Sequence, residues 1–318
     1  MKGNVVLIMP YFGRLPSYFG TYLKSLEGKN MDVLWISDLD VPKHPNNFKI
    51  VKMSLDEVKE RFEKVLGTKV VINGGRRLCD FRPMYAKAFE EFISGYDYWG
   101  WGDCDLVYGN AFNDYLARTV ATGKYDAVSM HRDYMSGPTC FYRNTPKMRE
   151  LYHKAANWQE VCSFEGPGGV FIFDECGGQF HAKLSAGKMT LAECAEERDS
   201  FSAVIWRTEG LDIYREDEID EETLADGEVV TMKNGNLFID GREIAVFHFV
   251  LAKVPRWFRF KNIPYEKVGN YWIDSTGFYH LKFAWYTRWL GRLIRKFSAA
   301  VEAVKAHGTK HIIKRIGL

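Results

Sequence analysis

The chain has 318 residues, and none of its apolar runs approaches the roughly 18–20 residues that a membrane-spanning helix requires. No membrane-spanning helix is therefore expected. Six cysteines occur, at 79, 104, 140, 162, 176 and 194, without a single C-x-x-C spacing. That argues against the familiar structural zinc sites, and a chain of this length does not need disulfides, so free thiols in a reducing cytosol are expected. There is no internal repeat and no low-complexity segment. Neither sign of charge dominates: 43 Lys and Arg stand against 41 Asp and Glu, and the charged fraction of 26% is ordinary for a folded domain. No secretory signal is visible either. Lys2 is followed only by the short run Val5–Met9, which Pro10 ends, and that length suits a buried strand.

What is present is a hydrophobic content of 46%, ample for a packed core. The charge is unevenly placed. From Lys282 to Leu318 nine Lys and Arg stand against one acidic residue, Glu302, which leaves 34 basic and 40 acidic side chains on residues 1–281. A mildly acidic body thus carries a basic tail. Such asymmetry points to a membrane surface or nucleic acid. The acidic body would repel nucleic acid, so an anionic membrane surface is the expected partner. Within the tail Tyr286, Trp289, Leu290, Leu293, Phe297, Val301 and Val304 recur at three- and four-residue steps, an amphipathic helix pattern over Trp285 to about Lys305. Arg288, Arg292, Arg295 and Lys296 flank it, and Lys310, Lys314 and Arg315 extend the charge. Packing of the stripe on the body of the chain, or on a second protomer in a homodimer, is the alternative.

The first hundred residues alternate strand and helix patterns. Val5–Met9 and Val33–Ile36 read as strands, Tyr18–Leu26 as a helix. Ser54 and Glu57 form a capping box for a helix over Leu55–Leu66. Val70–Ile72 reads as a short strand. Asp80 is an expected N-cap, with Pro83 in the first turn of a helix running to about Ile93. Tyr96–Trp101 is a strand that delivers Asp103-Cys104-Asp105. This alternation predicts an α/β fold with a mostly parallel central sheet. Farther on, Lys233-Asn234-Gly235-Asn236 is a hairpin signal, and Asp240-Gly241 a second turn before a strand over Ile244–Phe249.

The sharpest local signal is Y-D-Y-W-G-W-G-D-C-D-L-V-Y-G over residues 96–109. Two carboxylates one residue apart at a strand end can face one divalent cation, and Mg²⁺ or Mn²⁺ with oxygen ligands would bridge to a diphosphate. Gly102 permits close backbone approach. The bland alternative is a polar turn with two solvated aspartates.

With the segment C-D-F-R-P-M-Y-A-K-A-F (79–89) before it, this stretch resembles the D-x-D signature of GT-A-fold glycosyltransferases of the bacterial polysaccharide-building type. The resemblance covers residues 1 to about 255 and rests on the order of its motifs. It implies a GT-A catalytic domain over 1–281, with a nucleotide-binding part over about 1–110 and an acceptor-side part over about 111–281, followed by the basic helical tail 282–318. It further implies a metal, Mn²⁺ or Mg²⁺, on Asp103 and Asp105, and donor contacts from Asp80 and Arg82.

The N-terminal V-V-L-I-M-P-Y-F-G resembles the first strand and loop of the same fold, where Tyr11 and Phe12 would stack on the base and Asp38 would accept a hydrogen bond from it. S-G-P-T-C-F-Y-R-N (136–144) resembles an acceptor-lining segment, which assigns Ser136 and Gly137 to that side. F-D-E-C-G-G (173–178) supplies Asp174 and Glu175 as the candidate catalytic carboxylates. V-F-H-F-V-L-A-K (246–253) resembles a late element in which His248 is the third metal ligand and Lys253 grips the diphosphate. The expected activity is transfer of a hexose from a nucleotide-sugar donor, a UDP-sugar in the first instance, to a saccharide or lipid-linked saccharide acceptor in cell-surface polysaccharide synthesis. The His-Lys element favours retention of the anomeric centre over inversion. The expected location is the cytoplasm, peripheral on the cytoplasmic membrane face.

Three other readings compete. Asp103-x-Asp105-x-Val107 formally matches the nucleophile motif of haloacid-dehalogenase-like phosphatases, but that motif normally follows the first strand. A sugar nucleotidyltransferase would need a Gly-rich N-terminal loop, and Pro10–Pro16 holds one glycine. A non-catalytic membrane-associated scaffold would use the tail alone.

Overall fold

A computed structural model describes residues 4–135, 139–165, 171–177, 180–217, 224, 227–255 and 257–280, together with the single positions 289, 293, 296, 297, 300, 301 and 304. The chain forms two compact units that interleave along the sequence. The first takes Met1–Pro16, Leu26–Cys104 and Phe112–Ile219, and the second Ser17–Ser25, Asp105–Ala111 and Asp220–Leu318. The chain crosses from one to the other between Cys104 and Asp105, inside the acidic motif.

The first unit is a mixed α/β body around an open, largely parallel sheet. Its strands are β1 (Val5–Pro10), β2 (Asp32–Ser37), β3 (Phe48–Lys52), β4 (Tyr98–Gly102), β6 (Ala127–Ser129), β7 (Thr139–Arg143) and β8 (Ile213–Arg215), in the order β3-β2-β1-β4-β7-β6-β8. Pairing is parallel from β3 through β2 and β1 to β4, and between β6 and β8. It is antiparallel on both sides of β7. Val5 to Met9 and Val33 to Ser37 are buried, as continuous apolar strands covered on both faces must be. The expected alternation of strand and helix is therefore what the structure shows.

Helix α2 (Leu55–Leu66) has the expected capping box: Glu57 N–H donates to Ser54 Oγ (3.2 Å), and Ser54 N–H to Glu57 Oε2 (2.6 Å). It stops at Gly67, whose φ of 61° is the left-handed cap conformation. Val58, Phe62 and Leu66 recur every four residues and form its buried face. Two expectations change. Val70–Ile72 is not a strand, and the Val71 amide donates to the Cys162 carbonyl instead. The helix expected from Asp80 starts earlier, as a 3₁₀ stretch over Gly75–Met84, then breaks into the short turns Tyr85–Ala88 and Glu90–Ile93. Pro83 lacks an amide hydrogen and its ring crowds the carbonyl four residues back, so it cannot sit inside a regular α-helix.

The second unit holds β5 (Leu106–Tyr108), β9 (Val230–Lys233), β10 (Asn236–Ile239), β11 (Arg242–Ile244), β12 (Val246–His248), β13 (Tyr271–Asp274) and β14 (Gly277–Tyr279), with α1 (Phe19–Leu26) lying in it up to Ser25. Five of these strands make an antiparallel sheet in the order β11-β10-β9-β13-β14, and β5 pairs with β12. Asn234 (φ 52°) and Gly235 (φ 83°) form the expected tight turn between β9 and β10, and Asp240 (φ 47°) and Gly241 (φ 86°) the next one. Val107, Val230, Leu237, Phe247, Phe249 and Ile273 lie at the centre of its core. Of the expected tail helix, the described positions from Trp289 to Val304 are helical; Trp289, Leu293, Phe297 and Val301 are exposed and Val304 is half-buried, while the stripe residues Tyr286 and Leu290 lie outside the described residues. No helix among the described residues is long and apolar enough to cross a membrane.

Candidate functional site

In an open α/β sheet, ligands bind beyond the carboxyl ends of the parallel strands where the strand order reverses. Here the reversal lies between β1 and β4: the chain runs outward from β1 to β2 and β3, then returns to place β4 on the other flank of β1. The residues just past those strand ends are Tyr11 and Phe12 after β1, Asp38 after β2 and Asp103 after β4. Four of the expected site residues thus collect at one end of one sheet. Tyr11 stacks on Trp35 (ring centroids 4.8 Å apart, planes at 23°), and its hydroxyl donates to the Arg14 carbonyl (2.8 Å). One face of the Tyr11 ring is therefore covered. Phe12 is half-buried, and its carbonyl lies so close to Gly75 that a Cβ there would meet it at 2.8 Å. Asp38 is exposed. At the opposite end of the strands a cavity of about 580 Å³ is lined by Asn4, Lys29, Asp32, Tyr96 and Asn113. It contains no pair of carboxylates set for a cation.

The 3₁₀ stretch carries the next layer. Arg82 is buried and grips two carboxylates with two nitrogens: Nη1 donates to Asp174 Oδ2 (2.7 Å), and Nη2 donates to Asp103 Oδ1. Asp103 keeps a third of its side chain exposed, whereas Asp174 is sealed at 1%. Burial drives the Asp174 carboxyl up, opposed by the Arg82 charge and its hydrogen bond. Its Oδ1 has no hydrogen-bond partner among the described residues. Glu175 beside it is only half-buried. The turn that presents both carboxylates begins at Ile172, whose φ of 49° is rare for a β-branched residue and carries a strain of order 1–3 kcal/mol. Asp80, expected as a helix cap and donor contact, is fully buried instead, paired with Arg77 and accepting the Phe173 amide (3.4 Å).

In the second unit Asp105 is the centre of a charge cluster. β5 begins directly after it, and β12 lies antiparallel to β5 with His248 opposite Leu106. The Phe249 amide donates to the Asp105 carbonyl (3.1 Å), which fixes the end of the pair. His248 Nε2 then lies 3.6 Å from Asp105 Oδ1, and Lys253 Nζ donates to Oδ2. Burial alone would raise the Asp105 carboxyl, but the imidazole and the ammonium together hold it well below the usual carboxylate range. Lys253 Nζ also lies 3.4 Å from the Tyr18 hydroxyl and 5.6 Å over the Tyr18 ring. Asp103 and Asp105 are two peptide units apart, so their Cα atoms are at most about 7 Å from each other. Asp103, Asp105 and His248 are the metal-capable side chains of this region.

Three residues of the region, Arg77, Tyr18 and Ile172, are not among those the sequence points to. Arg77 sits three positions before Asp80, a helical ion-pair spacing that could have flagged it. Tyr18 and Ile172 carry no local signal: the one reaches Lys253 across 235 positions, and the other is visible only as a backbone angle. Ser136 and Gly137 lie outside the described residues.

The chain matches the model of a family of unknown function, DUF6625, over residues 7–282, and belongs to that family. No curated protein matches it in sequence.

Proposed function

We propose that this member of the DUF6625 family is a metal-dependent glycosyltransferase with a GT-A fold, moving a sugar from a nucleotide-sugar donor to a saccharide acceptor. The observation that carries the reading is the pairing of β12 with β5, which brings His248 and Lys253 onto Asp105 from more than 140 positions away. The sheet's reversal point supports it, since the loops past β1, β2 and β4 meet where a nucleotide would lie. The donor set fits the metal: two carboxylates and one imidazole suit Mn²⁺, and Mg²⁺ less well because it keeps to oxygen ligands. A cation held by Asp103, Asp105 and His248 would neutralise charge on the departing nucleoside diphosphate, an effect worth several kcal/mol.

The chain's own residues supply the rest. Tyr11 and Phe12 frame the base, and Asp38 accepts a hydrogen bond from it. Arg82 holds Asp103 in one orientation, so the metal-facing carboxylate is preorganised. Asp174 anchors Arg82 and acts through it. An inverting course needs a base on the acceptor hydroxyl, and because Arg82 seals Asp174 that role would fall to Glu175. A retaining course needs no such base. NMR of the product anomer distinguishes the two. The basic tail, with its apolar stripe, would hold the enzyme at an anionic membrane surface, where lipid-linked acceptors reside.

The test is thermal unfolding of the full chain with a panel of nucleotide sugars, with and without Mn²⁺. One donor should stabilise the protein only with Mn²⁺ present, by roughly 2.7 kcal/mol at a hundredfold excess over Kd. Asp105→Asn should remove that gain. A panel without any Mn²⁺-dependent shift would overturn the assignment.

A further inference from the structure

The cavity at the other end of the strands lies wholly within the first unit. Val5 on its wall is six residues along β1 from Tyr11, which puts it about 20 Å from the nucleotide loop. Its volume of about 580 Å³ is that of an ordinary small-molecule site. Lys29 lines it, although only 6% of that residue is exposed. Lysine is seldom so buried, because its ammonium gives up hydration. Burial pulls the ammonium down to about 8, and the charge of Glu27 acts the other way. The segment that carries Lys29 is clamped from two sides. Asn47 Nδ2 donates to the Leu26 carbonyl (2.8 Å) and to the Met31 carbonyl (2.9 Å). Asn113 Oδ1 accepts the Asn30 amide (2.8 Å), and its Nδ2 donates to the Gly28 carbonyl (3.0 Å). Asp32 also lines the cavity, with the Tyr96 hydroxyl donating to its Oδ2 (2.5 Å). A wall held in this way lowers the ordering cost of binding.

The lining limits the ligand. Lys29 is the one cationic residue among the described residues that line the cavity, and Asp32 disfavours a second negative charge. A single carboxylate suits that balance better than a phosphate, which carries about −1.5 to −2 at neutral pH. Asp32 accepts hydrogen bonds, and the side-chain amides of Asn4 and Asn30 can donate and accept, a mixture suited to hydroxyl groups. Val5 and Leu116 add apolar surface for the C–H face of a ring. We propose that this cavity binds a sugar acid, a hydroxylated ring bearing one carboxylate, with Lys29 pairing the carboxylate and Asp32, Asn4 and Asn30 taking the hydroxyls. The site is independent of the glycosyltransferase reading, because none of the residues assigned there to metal or nucleotide lines the cavity.

The experiment compares glucuronate and galacturonate with glucose and galactose, by saturation-transfer NMR and calorimetry on the full-length protein without added metal. One uronate should bind about tenfold or more tightly than its neutral parent, the size expected of a hydrogen bond to a charged group. Lys29→Met should bring that uronate down to the level of the parent sugar. Ala121→Trp changes an exposed residue of the lining, leaves Lys29 in place and should block both sugars. It carries the test if the methionine variant does not fold. Equal affinities for uronate and parent, or no uronate binding, would overturn the proposal. So would a uronate that binds the tryptophan variant as it binds wild type, because it would then occupy another place.

Discussion

Asp80 and Arg77 form an ion pair in which burial acts against both partners. It pushes the Asp80 carboxyl up to about 6 despite the neighbouring guanidinium, and it pulls Arg77 below its ordinary value. A pair so poorly compensated contributes geometry more than stability. Arg77 donates to the Val161 carbonyl and Asp80 accepts the Phe173 amide, so the pair ties the 3₁₀ stretch to the turn that presents Asp174. The pH consequence follows from the direction of the shift. An aspartate near 6 when folded and 3.8 when unfolded binds its proton more tightly in the folded chain. Below about pH 4 it contributes no difference. As pH rises from 4 to 6 the folded state loses stability, and above 6 the loss is complete, at roughly 3 kcal/mol. Asp80→Asn removes that titration. Urea unfolding of both proteins should show wild type losing about 3 kcal/mol relative to the variant between pH 4 and pH 7. A difference that stays flat across that range would refute the buried charge.

Among the elements, β4 supports the site, and its exact fit to β7 depends on one residue. A Cβ at Gly100 would lie 1.9 Å from the Cys140 carbonyl oxygen, in backbone that has no room to yield. Gly100→Ala should therefore part β4 from β7 and lower stability by about 3 kcal/mol or more, at the upper end for overpacking. Gly95→Ala, where nothing lies within 4 Å, should change it by no more than about 0.5 kcal/mol. Denaturant unfolding of the two variants checks the contrast, and equal losses would contradict the close approach.

The elements legible in the sequence were those whose signals are local: the apolar strands β1, β2 and β4, the capping box of α2, and the Asn234-Gly235 turn. The 3₁₀ stretch is hidden in the sequence because Asp80 looks like a cap and Pro83 like a first-turn residue, while the helical turns begin at Gly75. The antiparallel insertion of β7 between β4 and β6 has no local signature, since its register is set by partners some 40 positions away in β4. The same holds within the site. Asp103-x-Asp105 could be read directly, but the grip of Arg82 on both Asp103 and Asp174, and of Lys253 on Asp105, depends on pairings that only the folded chain reveals.

At the scale of the whole molecule the tail presents an apolar surface of its own. Trp289, Leu293, Phe297 and Val301 are spaced by four, so they share one helical face, and their exposures run from 37% to 73%. Apolar side chains of that size, repeated on one exposed face, favour an apolar partner. The sequence supplies charge beside them, in Arg288, Arg292, Arg295 and Lys296, with Lys310, Lys314 and Arg315 following. An apolar face in a segment whose sequence is rich in cations suits the boundary between headgroups and acyl chains of an anionic bilayer. A second copy of this chain meeting it tail to tail would bring like charges together. Full-length protein should therefore co-sediment with vesicles of phosphatidylglycerol and phosphatidylcholine, bind pure phosphatidylcholine far less, and release as salt rises. Replacing Leu293 and Phe297 together by serine should weaken vesicle binding by about tenfold or more, from the apolar area no longer buried. Each lost cation should weaken it by a further ~1 kcal/mol. Unchanged binding in the double variant would show that the stripe does not enter the bilayer. A dimer in light scattering that the double variant abolishes would show that a second copy covers it instead.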